Sequence, residues 1–213
     1  MTKRLKVILS ELAPCECLAD VGCDHGYITK AAIESGIAKA AVISDISAPS
    51  LKKAETLLKD YLGKNVLPVV CDGLSESHAG CDQILIAGMG GEEICEILLK
   101  APFLPGRLVL QPMKNADKVR KTTLMLGYRI EKDYCFKDGK FYFLLVLEKG
   151  KDFYTEDEIF FGRDNLKDPS PDFKEFALAE YKKYSDVIAR GDLSESSREA
   201  VEKILKKYGE ILN

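Results

Sequence analysis

What most narrows the folds open to this chain is an alternation. Five short, mostly apolar runs recur along it, at residues 17–21, 41–44, 66–70, 83–87 and 107–110. Such runs suit parallel strands covered on both faces. Helical stretches lie between them. Residues 25–35 end at Gly36, a stop signal. Residues 47–62 open on Ser47 as N-cap, with Pro49 in the first turn, and stop at Gly63. Residues 92–100 and 115–126 follow, the latter closed by Gly127. Strand and helix in strict turn predict an α/β fold around a mostly parallel sheet.

The rhythm then changes. Residues 128–136 and 140–147 are two β runs joined by Lys137-Asp138-Gly139, a hairpin signal. The expectation is a Rossmann-like sheet of seven strands with an antiparallel C-terminal hairpin. Residues 151–171 are charged, contain Pro169 and Pro171, and read as a linker carrying one short helix. Residues 172–189 and 195–212 have apolar residues at three- and four-residue spacing and read as an antiparallel helical pair. The predicted division is therefore 1–150 as one domain and 151–213 as linker and coiled-coil-like appendage. The acidity sits in that second part, which holds 11 Lys+Arg and 15 Asp+Glu against a net charge of −3 for the chain.

That balance excludes a globally basic nucleic-acid-binding surface and leaves local patches open. No apolar run approaches the roughly 18 residues of a membrane span, and the start MTKRLKVILSELAP lacks a signal-peptide h-region. The seven cysteines are odd in number, none forms C-x-x-C, and only His25 and His78 add imidazoles. A metal site is not expected, and reduced thiols fit a cytoplasmic protein; a monomer is expected.

The chemistry-bearing residues cluster where predicted strands end, which is where open α/β sheets bind ligands. The first is Ala19-Asp20-Val21-Gly22-Cys23-Asp24-His25-Gly26-Tyr27. It is not the G-x-G-x-x-G of nicotinamide enzymes. Asp24 replaces the middle glycine, repelling a pyrophosphate and attracting a sulfonium or an ammonium. Asp24 as a plain helix N-cap is the alternative. Asp45 follows Gly22 by 23 positions, close to the spacing of an acid that binds ribose hydroxyls; the rival role is a charge at a helix N-terminus. Asp72-Gly73-Leu74 follows the third run and offers an acceptor for an adenine amine, or a simple turn. Ala87-Gly88-Met89-Gly90-Gly91 follows the fourth, with glycines suited to close backbone approach. Gln111-Pro112 and Asn115 follow the fifth.

Taken in order, ADVGCDHGY, DGL, IAGMGG, LQP and DGKFY make the chain resemble the bacterial tRNA adenine-N1 methyltransferases that modify adenine 22, the TrmK family. The terminal hairpin agrees with a class I methyltransferase. The likeness is strong over 1–150 and looser over the C-terminal helices. Where a longer Glu is familiar in that family, this chain has Asp45. The resemblance implies S-adenosylmethionine as methyl donor and tRNA as acceptor. It implies donor contacts from Asp20, Gly22, Cys23, Asp24, His25 and Gly26, from Asp45 and Ile46, from Asp72, Gly73 and Leu74, and from Ala87, Gly88 and Met89. Asp24, Tyr27 and Met89 would stand nearest the reacting atoms. Gly90, Gln111, Pro112, Asn115 and Tyr142 would meet the target base, with Tyr27 or Tyr142 stacking on it. Lys114, Lys118 and Lys121 recur at helical spacing beside the expected site and would touch phosphates, unless they are a solvated face. Other clusters are Lys3-Arg4-Lys6 and Lys52-Lys53, and Arg120 joins the lysine group. The alternatives are a donor-dependent methyltransferase acting on another RNA or a small molecule, and a non-catalytic cofactor- or RNA-binding module.

Overall fold

A computed structural model describes residues 1–212. The chain begins with helix α1 (Lys3–Ser10), then runs β1 (Cys15–Val21), α2 (Tyr27–Glu34), β2 (Ala38–Asp45), α3 (Ala48–Leu57) and β3 (Val66–Val70). After a short 3-10 turn come β4 (Gln83–Met89), α4 (Gly91–Lys100), β5 (Arg107–Pro112), α5 (Ala116–Met125), β6 (Tyr128–Asp138) and β7 (Lys140–Lys149). The strands form one sheet in the order β3-β2-β1-β4-β5-β7-β6. β1 to β5 are parallel, and β7 and β6 close the sheet antiparallel. The expected architecture is thus present.

Burial follows the two-residue period of the strands. Ile84 and Ile86 of β4, with Leu108 and Leu110 of β5, pack on one face against Ile94 and Leu98 of α4. Leu85 and Val109 point the other way, toward Ile8 of α1, Ile28 of α2 and Leu51 of α3. Both faces are covered, which is why the runs read as continuously apolar.

Three readings change. Helix α1 is not anticipated at all, although Thr2 caps it by accepting from the Leu5 N–H. The helix expected over 47–62 stops at Leu57, because the chain turns at fully buried Leu58 and Leu62 already bridges to Val66. Residues 151–171 hold not one short helix but two, α6 (Glu156–Phe161) and α7 (Arg163–Lys167). Thr155 and Glu158 form a reciprocal capping box at the start of α6.

The last elements, α8 (Pro171–Arg190) and α9 (Glu195–Leu212), pair with each other as expected. Their aromatic side chains meet the hairpin in a third core, where Phe161, Phe173 and Tyr208 pack on Cys135, with Phe141 and Phe143 alongside. Next to it Arg120 lies fully buried, donating to both carboxylate oxygens of Asp133 at 2.7 and 2.8 Å. Its remaining donors reach the Ile159 and Phe160 carbonyls at 3.0 and 3.3 Å. Outer-edge amides of β6 are capped by side chains of the segment that follows. Ile130, Asp133, Cys135 and Lys137 donate to Asp152, Asp164, Asn165 and Asp172 respectively.

Candidate active site

The strand order reverses between β1 and β4, and the crevice this leaves opens at the carboxyl ends of the strands. A cleft of about 620 Å³ lies there, within the range of small-ligand sites. Its wall is built strand by strand. β1 ends in Asp20 and the glycine loop, β2 in Ser44, Asp45 and Ile46, β3 in Asp72 and Gly73, and β4 in Ala87 to Gly90.

Backbone bonds fix the glycine loop. The Gly22 and Cys23 amides donate to the Ser44 carbonyl at 2.8 and 3.0 Å. Ser44 is held in turn by buried His78, whose Nε2 is 3.1 Å from the Ser44 hydroxyl. His78 does not line the cleft; its ring is braced between the Ser75 N–H and the Ser44 hydroxyl, and burial lowers its pKa. Gly22 has φ +69°, and a Cβ at that position would fall 1.9 Å from Met89 Cε. The first and fourth loops therefore touch across the cleft floor. Gly91 starts α4 for a different reason: a Cβ there would sit 2.4 Å from the Asn115 carbonyl oxygen.

Asp20 is buried and accepts from Thr29 Oγ1 at 2.6 Å. Burial pushes its pKa up to about 6. Burial, and then the charges of Asp20 and Asp45, push the Cys23 thiol up as well, which disfavours its thiolate. Asp24 adopts φ 45°, a left-handed conformation that Asp tolerates. It is not an N-cap: Gly26 occupies that position of α2, with no side-chain cap bond. The Asp24 carboxylate is 60% exposed, 3.6 Å from both His25 Nε2 and Lys53 Nζ. His25 stacks on Tyr27, which is half exposed and lines the cleft. Asp45 does two jobs, facing the cleft while its Oδ1 accepts from the Ser47 N–H at 2.8 Å.

Several expected residues lie elsewhere. Leu74 is buried against the α4 side of the sheet and does not line the cleft. Gln111 is fully buried and Pro112 is buried beside it. The Gln111 amide is committed to Arg4, to the Pro112 carbonyl and to Met113 Sδ. Tyr142 is covered by Phe136 on stacked rings 5.5 Å apart, and Arg4 lies 5.4 Å from its ring centroid. Neither Tyr142 nor Asn115 lines the cleft. Lys114, Lys118 and Lys121 are exposed, but outside the cleft; Lys118 is paired with Glu92. Arg120, grouped with them by sequence, is on the buried face of α5.

Cleft residues that escape the sequence reading include Thr2, Arg4 and Leu5 of the N-terminal segment, Ser44 of β2, and Glu93 and Ile97 of α4. The Thr2 cap is a signal that could have found α1. Nothing local says that α1 folds back over the fourth-strand loop. Among the described residues no helix is long and apolar enough to cross a membrane, and no group of three or more His, Cys, Asp or Glu is placed to hold a metal.

Comparison with known proteins places this geometry in company. Residues 1–146 match the family described as "Methyltransferase domain". A Mycoplasma pneumoniae protein named "Putative tRNA methyltransferase" is 31% identical over 150 residues, 67% of this chain and 70% of that one. The tRNA (adenine(22)-N(1))-methyltransferase of Bacillus subtilis is 33% identical over 156 residues, 70% of this chain and 66% of that one. A Streptococcus pneumoniae structure described as "a putative tRNA (m1A22) methyltransferase, in complex with S-adenosyl-L-methionine" superposes with a TM-score of 0.90. It shares 26% identity, and all of both chains is covered.

Proposed function

Because this chain belongs to the methyltransferase-domain family, as a TrmK-like class I member, we propose that it transfers a methyl group from S-adenosylmethionine to N1 of an adenine in tRNA, adenine 22. The observation that carries the reading is the row of carboxylates at the ends of β1, β2 and β3, facing one cleft beside the Gly88–Gly90 backbone. They fit the donor. It bears a sulfonium, an ammonium, a ribose diol and an adenine amine, each of which a carboxylate attracts or accepts from.

The donor, when bound, supplies an activated methyl group. Asp45 would hold the ribose hydroxyls, and Asp72 the adenine amine. Gly22 allows the backbone to come close, and Met89 sets the floor next to it. Adenine N1 carries a lone pair and no proton, so no side chain has to act as a strong base. Alignment and charge stabilisation carry the rate. Asp24, exposed at the rim, would offset the positive charge that arrives on the base. N1 lies on the Watson–Crick edge, so the nucleotide must leave its helix to react. The open face of Tyr27 would stack on it, and Gly90 would read its edge through the backbone.

For the rest of the tRNA, the exposed lysines 114, 118 and 121 are offered as phosphate contacts. The pair α8–α9 is offered as the surface that gauges tRNA shape, within a division at about residue 150. In this reading the protein works in the cytoplasm as a monomer, where its seven unpaired thiols persist.

The test is to incubate the protein with unmodified tRNA and methyl-labelled donor, then map the product. We expect label in 1-methyladenosine at position 22. Label in another nucleoside, or none in tRNA, would overturn the reading.

A further inference from the structure

Resting on that reading, we infer that Arg4 is the receptor for the α-carboxylate of the methyl donor. The charge pattern of the cleft is the starting point. Its described lining includes five carboxylates, those of Asp20, Asp24, Asp45, Asp72 and Glu93, and one Arg or Lys, which is Arg4. Carboxylates suit the cationic and donor groups of the ligand and repel its one anionic group. That group needs a cation inside the same cleft.

Arg4 is built to serve there. Its backbone N–H donates to Asp138 Oδ2 at 2.8 Å, and its Nε donates to the Gln111 amide oxygen at 2.6 Å. Its guanidinium lies over the Tyr142 ring. These contacts fix the side chain and leave the terminal end of the fork unused. No carboxylate lies within ion-pair distance of the guanidinium among the described residues, and neither terminal nitrogen has a hydrogen-bond partner there. One of them, Nη2, hangs over the fourth-strand loop, 2.8 Å from where a Cβ on Gly88 would be. A planar two-nitrogen fork held open in this way matches a carboxylate. Partial burial also lowers the Arg4 pKa, with Tyr142 and Asp138 opposing the shift only in part. An RNA phosphate is also anionic. However, a phosphodiester brings only negative charge past five carboxylates, whereas the donor brings its carboxylate tethered to two cations.

The experiment compares S-adenosylmethionine with decarboxylated S-adenosylmethionine by calorimetry, on wild type, Arg4→Ala and Arg4→Lys. The decarboxylated donor has the higher net positive charge, so an acidic cleft without a carboxylate receptor would prefer it. We expect wild type to bind the intact donor tighter, by roughly 10- to 100-fold, the scale of a charge-assisted pair. Arg4→Ala should lose that factor for the intact donor and none for the decarboxylated one. Arg4→Lys should keep part of it. Equal binding of both donors by wild type, a comparison that needs no variant to fold, would overturn the assignment. So would an Arg4→Ala protein that keeps donor affinity and loses tRNA affinity, since Arg4 would then hold a phosphate. Wild type that binds neither donor would overturn the parent reading as well.

Discussion

In the seam between the hairpin and the last sixty or so residues, Arg120 gives its donors to Asp133 and two carbonyls, and both charged side chains are 1% exposed. In the cleft, Asp24 meets its nearest cations only at 3.6 Å, and no carboxylate lies within ion-pair distance of the Arg4 guanidinium among the described residues. The same residue types are thus spent in one place and held open in the other. The seam satisfies itself, so substitutions there should be read out in stability. The cleft waits for a ligand, so substitutions there should be read out in binding.

The sharpest way to break this contrast is Arg120→Ala. It strands the Asp133 carboxylate in a dry site and should cost about 3–5 kcal/mol of stability in chemical denaturation, with donor affinity of the remaining folded protein unchanged. A cost below about 1 kcal/mol would mean that the seam is not closed.

Asp20 sits between the two classes, a cleft residue that is buried. Its pKa is raised from 3.8 to about 6, so the folded state favours its neutral form. The corresponding stability is full below pH 4 and is lost as pH rises through about 6. Asp20→Asn removes that loss. The variant should gain on wild type between pH 4 and 6, by up to about 3 kcal/mol, with a plateau above. A difference that stays constant across urea titrations at those pH values would contradict the assignment.

Asp45→Ala should weaken donor binding by about 1–3 kcal/mol, the scale of lost charge-assisted hydrogen bonds. Thermal stability should move little, because the Asp45 bond to Ser47 is a partly exposed turn. Unchanged donor affinity would remove Asp45 from the site. The smallest effect is expected for Lys114, Lys118 and Lys121 replaced together by Ala. The slope of log tRNA affinity against log salt should flatten by about 2, less than three full contacts because Lys118 already neighbours Glu92. An unchanged slope would make that helix a merely solvated face.

The sheet was legible because buried parallel strands leave a local mark, a short apolar run. Cleft residues at strand tips were legible for the same reason: Asp45, Asp72 and the Gly88–Gly90 turn follow directly from where a strand must stop. Others near the tips were not. Gln111, still inside β5, and Leu74, four residues past β3, point into packing, and which way a tip turns is decided by its neighbours. Arg120 shares a sequence cluster with Lys118 and Lys121, but it lies next to Val119 on the buried face. Arg4 was invisible as a site residue because its place depends on α1 folding across β4, a contact between residues more than 80 positions apart.

The capped outer edge of β6 has a consequence for the protein's solubility. An exposed edge strand is a template on which a second chain can grow by backbone pairing. At the opposite edge, β3 is only five residues long and carries Pro68, which cannot donate to a ladder. β6 is eleven residues long and has no proline. Its protection comes from Asp152, Asp164, Asn165 and Asp172, whose side chains occupy the amides a newcomer would need. A chain cut after the hairpin would uncover that edge together with Phe141 and Phe143. Its first failure would be strand-by-strand self-association, so residues 151–172 guard that edge before they contribute to anything the protein binds.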